Sequence, residues 1–339
     1  MKAPIRITNL PGAKEPTLAF DDQGTLHAAF GAGNTLYSTS QAAGAFGPPT
    51  VIAQAGHLAL GMRRGPRLTF TKNNLVVSAI YGRQGGGRDG ELLAWRSSDQ
   101  AKSWSGPVTI NDVPGATREG LHAMGAAPDG TLVCVWLDLR EKGTTVFSST
   151  SLDGGKSWSR NTPVYRSPSG TVCECCHVSV CFTASNELLV MFRNVLQGNR
   201  DMYLARSLYR GKSFTPAQKI GFGSWPLNAC PMDGGMIAAD PKQGIVSAWR
   251  REEVVYTCVP GKPEKRVEVG QQPWIAVGKT GSWCTWLVGR PGTLRLQGPT
   301  GSIQTLAEGA NNPVLVSTKR GDVALAWSGP GGLFATELA

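Results

Sequence analysis

One unit recurs along this chain, and a recurrence of this kind constrains the fold more than composition does. It begins with a short apolar strand and a turn of Gly, Asn or Asp. A second apolar strand follows, often ending in an aromatic residue, then a third strand, a corner and a fourth. The first two strands align at 16–20 with 25–30, 66–70 with 75–81, 123–127 with 131–137, 178–183 with 187–192, 235–239 with 244–249, 273–277 with 282–287, and 313–317 with 322–327. These seven units follow one another at about 40–50 residues or a little more, the length of a propeller blade.

A small sheet of this kind is apolar on both faces and buries them only against its neighbours. The expectation is one all-β domain over residues 1–339, a seven-bladed β-propeller with four-stranded blades. The last unit supplies three strands, the third at 332–338, and a spare strand at 5–10 is expected to close that blade. Closure removes free sheet edges, which otherwise template aggregation.

Composition narrows the function classes. No stretch reaches the roughly 18 apolar residues of a membrane span. The 43 glycines suit a chain of short strands and tight corners. The net charge of +10 favours an anionic partner, but the basic residues are scattered and no nucleic-acid motif occurs. The expected partner is a small-molecule or peptide substrate, anionic in character, and neither nucleic acid nor a membrane. Residues 1–11 lack the features of a secretion signal. The expected location is periplasmic or secreted if a leader is removed, and cytoplasmic otherwise.

A signature sits at the corner between third and fourth strands. Ser151, Asp153, Gly155, Ser157 and Trp158 match the Asp-box S-x-D-x-G-x-[ST]-W at every position. The Asp accepts backbone N–H groups of the turn, the Gly takes the strained corner, and the Trp plugs between strands. Ser97, Asp99, Ser103 and Trp104 form a near match, with Ala101 at the glycine position. The segment from Ser207 to Phe214 lacks the Asp, and the one from Ser38 to Phe46 is weaker still.

On these boxes the chain resembles the sialidase-like BNR/Asp-box superfamily. True sialidases have six blades, so a six-bladed ring is the alternative fold. That resemblance implies an arginine set for a substrate carboxylate, a Tyr paired with a Glu, and an Asp acid/base. Arg67 in Gly65-Pro66-Arg67-Leu68 is loosely similar to the early arginine motif, but no Tyr–Glu pair stands at a comparable place. Exo-sialidase-type glycoside hydrolysis is therefore an alternative function.

The leading one rests on the segment Thr171-Val172-Cys173-Glu174-Cys175-Cys176-His177. In a propeller the first strands start around one mouth of the central channel. Other starts bring Arg67, Glu119, His122, Cys230, Met232 and Asp233 to that mouth. Thiolate and imidazole form a soft ligand set, suited to copper or zinc and not to magnesium or calcium. The spacing fits a structural zinc site poorly, because adjacent cysteines rarely both reach one tetrahedral ion. Copper is favoured and zinc is the alternative; a disulfide with the remaining Cys and His on the metal is the other partition. The expected ligands are His122, Cys173, Cys175, Cys176, His177 and Cys230. Glu119, Asp138 and Asp233 are expected to move protons, and Arg67 and Arg140 to hold an anionic substrate. The reaction expected of such a site is an oxidase step. A metal-carrier or binding propeller without catalysis is a third reading. Bacterial sialidase-like propellers are similar in the C-x-C-C-H segment, in Asn228-Ala229-Cys230-Pro231-Met232 and in Gly65–Arg67. That resemblance implies that these residues act together and names no reaction. Cys134, Cys181, Cys258 and Cys284 are expected to be structural, and His27 and His57 to be surface or core residues and not ligands.

Overall fold

The computed structural model describes residues 1–240 and 244–338. Every regular element among them is a strand, and no helix long and apolar enough to cross a membrane is present among them. The strands form antiparallel sheets in which most neighbours in space are neighbours in sequence.

Strand Leu132–Asp138 shows why each sheet needs two partners. All its residues are buried. Val133, Val135 and Leu137 pack with Leu188, Val190 and Phe192 of the following sheet. The alternate residues Cys134 and Trp136 pack with Ile80 and Leu92 of the preceding one. Side chains alternate across a strand, so one apolar run serves two interfaces. The core is thus a set of layers between sheets, arranged around a central channel.

The first strands line that channel. Ala13–Phe20 lies beside Arg67–Thr71, which lies beside His122–Ala126; Ser179–Phe182, Gly235–Asp240 and Gln271–Gly278 follow. Strand Ile303–Ser317 comes next and returns to Ala13–Phe20, so the ring is closed. The N-terminal Ile5–Thr8 pairs with the C-terminal Gly332–Glu337. It completes the last sheet, as the spare strand in the sequence suggests.

One element differs from the sequence reading. The sequence reading opens the seventh unit with a strand at 313–317, but that stretch is the end of one continuous strand of 15 residues, Ile303–Ser317. Its first part pairs with Gly292–Gln297 and its second with Val323–Gly329. A register shift between Asn311 and Val314, with Asn312 at φ 52°, re-aims the chain without a loop. The result is a single seven-stranded sheet in which two repeat units share a strand.

The Asp-boxes take the expected corner. Asp153 Oδ1 accepts the Lys156 and Ser157 N–H groups at 3.0 Å, and Ser157 Oγ donates to Oδ2 at 2.6 Å. Those bonds hold the Asp153 carboxyl at about 2 although partial burial opposes it. The same bonds recur at Asp99 with Ser103.

Candidate functional site

The approach to the fourth first strand is built from two anchors. Val172 bridges Asn194, and the Cys173 N–H donates to the Arg193 carbonyl at 3.0 Å. The chain then turns at Glu174 and Cys175. That turn carries Cys176 back onto Cys173, with Sγ atoms 3.0 Å apart; Cys175 Sγ lies 3.7 Å from Cys173 Sγ. The three Sγ atoms all lie within 4.8 Å of one another, and all three residues are buried. The turn brings the side chains of the adjacent Cys175 and Cys176 together with Cys173, which the spacing alone does not suggest.

The surroundings favour one thiolate. Arg200 Nη1 donates to Cys173 Sγ at 3.2 Å. The Cys173 thiol is held well below its usual range by contacts with Cys175 and Cys176, helped by Arg193 and Arg200. Its contact with Cys173 pushes the Cys175 thiol up, and burial does the same to Cys176. Val195 and Met232 pack against the cluster. Cys230 is exposed and does not join the group of three, though its thiol adds to the upward shift of Cys175.

The histidines stand apart from this group, and neither joins the three thiols as a ligand. His122 is fully buried, with Nε2 3.0 Å from Ser78 Oγ. His177 Nδ1 accepts the Gly234 N–H at 3.1 Å, so the proton of the neutral ring is on Nε2. Nε2 has no partner, and the ring lines the channel. Burial, then Arg63, Arg67 and Arg193, keep this imidazole neutral.

The expected substrate arginines are otherwise engaged. Arg67 donates to the carbonyls of His122 (3.0 Å), Gly65 (2.7 Å), Pro66 (3.0 Å) and Arg63 (2.5 Å). It brings positive charge to the channel wall but has little left to grip an anion. Arg140 forks onto Asp138, Nε to Oδ1 at 2.8 Å and Nη2 to Oδ2 at 2.9 Å, and also binds Asp112 and Asn161. Asp138 is fully buried and also accepts the Trp136 indole N–H at 2.7 Å. This pair is a structural clamp, and its carboxylate has no free site for proton transfer.

Asp233 is intermediate. Its Oδ2 accepts the Gln272 N–H at 2.7 Å, while Oδ1 is buried without a partner. Glu119 is the least committed of the three acids, with Arg118 at 4.0 Å. Burial raises its carboxyl, and the neighbouring Glu174 adds to that.

Sequence reasoning left other mouth residues without a role. Arg63 is buried, stacks on Trp274 at 4.9 Å and leaves Nε and Nη1 without partners. The side-chain amide of Gln272 also lacks partners. Arg63, Met232 and Gln272 all have positive φ, at 67°, 53° and 52°. Strained backbone of this kind concentrates at functional sites. Arg200 had no sequence signal, since only the fold brings it to Cys173. Of the residues expected to be structural, Cys134, Cys258 and Cys284 are buried in strands and Cys181 is half-buried; His27 is buried against Asp21 and Ser40, and His57 is exposed.

A family profile described as BNR repeat-like domain matches residues 34–232. No curated protein matches the chain. Solved structures with similar folds include an alpha-L-arabinanase of Penicillium chrysogenum, 12% identical, with a TM-score of 0.60 over 99% of this chain and 98% of that one. The NanB sialidase of Streptococcus pneumoniae is 9% identical, with a TM-score of 0.55 over 93% of this chain and 83% of that one. A virginiamycin B lyase of Staphylococcus aureus is 10% identical, with a TM-score of 0.60 over 99% of this chain and 98% of that one. At such identities these likenesses show a shared fold and carry no activity with them.

Proposed function

From the premise that this chain belongs to the BNR repeat-like domain family, with a sialidase-like propeller, we propose that it binds a soft metal ion at the channel mouth. The observation that carries this reading is the trio of buried thiols at 173, 175 and 176 within 4.8 Å of one another. Three buried thiols serve no packing purpose that Val or Ala would not serve. Met232, packed on the cluster, and Cys230, which acts on the Cys175 thiol, are the candidates to complete the set. Thiolate and thioether without imidazole suit Cu(I) better than Zn(II). No oxidase step belongs to this reading, because His122 and His177 lie outside the thiol group. The proposed scaffold is a seven-bladed ring, the shared strand Ile303–Ser317 serving two blades.

The test is an anaerobic titration of the fully reduced protein with Cu(I) against a competing chelator, with Zn(II) in parallel. The expected result is one Cu(I) per chain, held more tightly than Zn(II). It is lost in Cys175→Ser, weakened in Met232→Leu and kept in His122→Ala. Failure of the wild type to hold either ion overturns the reading, and equal loss in His122→Ala overturns the ligand set.

Glycoside hydrolysis is the second reading, favoured by the arabinanase and sialidase among the structural neighbours. Glu119, with its raised carboxyl beside Glu174, is its best acid. It predicts hydrolysis of aryl arabinosides or sialosides by metal-free protein, lost in Glu119→Gln.

A further inference from the structure

The central channel holds a cavity of about 350 Å³ bounded by all the first strands. Its two ends differ in chemistry. At the mouth end stand Ser179, the first residue of strand Ser179–Phe182, and His177, two residues before it. Both are more than nine-tenths buried, both line the cavity, and His177 Nε2 and Ser179 Oγ have no hydrogen-bond partner. Arg67 lines the same end, and Arg63 stands behind Trp274 with two unpartnered nitrogens. The unpaired groups here are mostly donors, under the charge of two guanidiniums that Asp233 and Glu15 partly balance. Further along, the walls are Met124, Val180, Ala238, Trp274 and Val314.

A buried donor left unpaired costs as much as a lost hydrogen bond, so this end calls for an acceptor. The positive surroundings favour that acceptor as an anion. Apolar walls reward an apolar body and penalise hydroxyl groups that would lose water there. The cavity lies at the lower end of the size range for small-ligand sites. A second cavity of about 570 Å³ lies beyond the far ends of these strands and shares Leu18, Leu68, Ala126 and Val316 with it as lining. Lys72, Lys319 and Arg320 line that outer space, alongside Asp22 and Asp129.

We infer that the channel is a binding site for a small organic carboxylate with an apolar body, its carboxylate on His177 Nε2 and Ser179 Oγ and its body against Met124, Val180 and Trp274. This site is separate from the thiol group and does not depend on a metal there. It also differs from a sugar subsite, since a polyhydroxylated ligand finds no partners along those walls.

The test uses metal-free, reduced protein and follows Tm and calorimetric heat against benzoate, 3-methylbutanoate, acetate, benzamide and N-acetylneuraminate. The expected result is saturable binding of the first two, raising Tm with concentration. Acetate, lacking the body, and benzamide, lacking the charge, bind at least tenfold more weakly. Ser179→Ala weakens benzoate about tenfold while the apo-protein Tm stays near wild type. His177→Gln gives a second reading of the donor end. No saturable binding of either apolar carboxylate overturns the inference, as does tighter binding of N-acetylneuraminate. Because no metal is present, neither outcome bears on the thiol reading.

Discussion

Arg140 and Asp138 show how a residue pair can advertise chemistry in sequence and perform architecture in the fold. Both stand at a strand end in a Leu-Asp-Leu-Arg run, where a catalytic acid and an anion clamp are reasonable expectations. In the structure each occupies the other's hydrogen-bonding capacity, and Arg140 also lies 4.2 Å over the Phe147 ring. Removing one partner leaves a buried charge unpaired. Arg140→Met is therefore expected to cost about 3 kcal/mol in urea unfolding while leaving metal binding intact. His122 gives a pH-dependent prediction. Burial first, and Arg67 second, hold its imidazole well below the ordinary value of 6.5. The folded state keeps it neutral, while the unfolded chain takes up a proton as pH falls below about 6.5. Its contribution to stability is full above that pH and is lost on acidification, by up to about 1.4 kcal/mol per pH unit. The stability of wild type measured at pH 7.5 and 5.5 should fall by more than that of His122→Gln. An equal fall in both proteins would mean that His122 protonates in the folded state.

At the scale of the element, local chemistry was legible and continuity was not. The full Asp-box corner follows from its five residues, because each has one job that short-range sterics or hydrogen bonding assigns. Gly155 sits at φ 87°, where an added Cβ would meet Val76 at 3.3 Å. Gly155→Ala is expected to destabilise by about 1–2 kcal/mol, visible as a lower Tm with unchanged metal content. The near box shows the same geometry at a different residue, with Ala101 at φ 66°. Its buried methyl packs between sheets and offsets part of the strain. The continuity of Ile303–Ser317 beyond 313–317 is not legible, because no residue there distinguishes a register shift from a loop. The thiol turn at 173–177 was legible as a cluster. Its ligand set was only half legible, because strand starts that converge in a ring still point their side chains in different directions. His177 faces the channel, His122 faces Ser78, and the thiols face Arg200.

At the scale of the molecule, the repeat determined the ring and the pairing of the two termini closes it. Ile7 is buried in an apolar cluster with Leu26, Ala324 and Leu333, so the closing strand joins the first and last sheets as well as pairing at an edge. Deleting residues 1–8 is expected to lower Tm and promote association, since it exposes the edge of Gly332–Glu337. An unchanged, monomeric and equally stable deletion protein would remove closure from the account. The central claim, that the mouth of this ring holds a soft metal ion on three thiols, is tested most directly by elemental mass spectrometry of untagged protein, purified without chelators, with a thiol count on the same sample. The account predicts close to one copper per chain, with the thiols at 173, 175 and 176 protected from alkylation until the metal is removed. A chain that carries neither copper nor zinc, and whose cluster thiols prove to be oxidised to a disulfide, would contradict it.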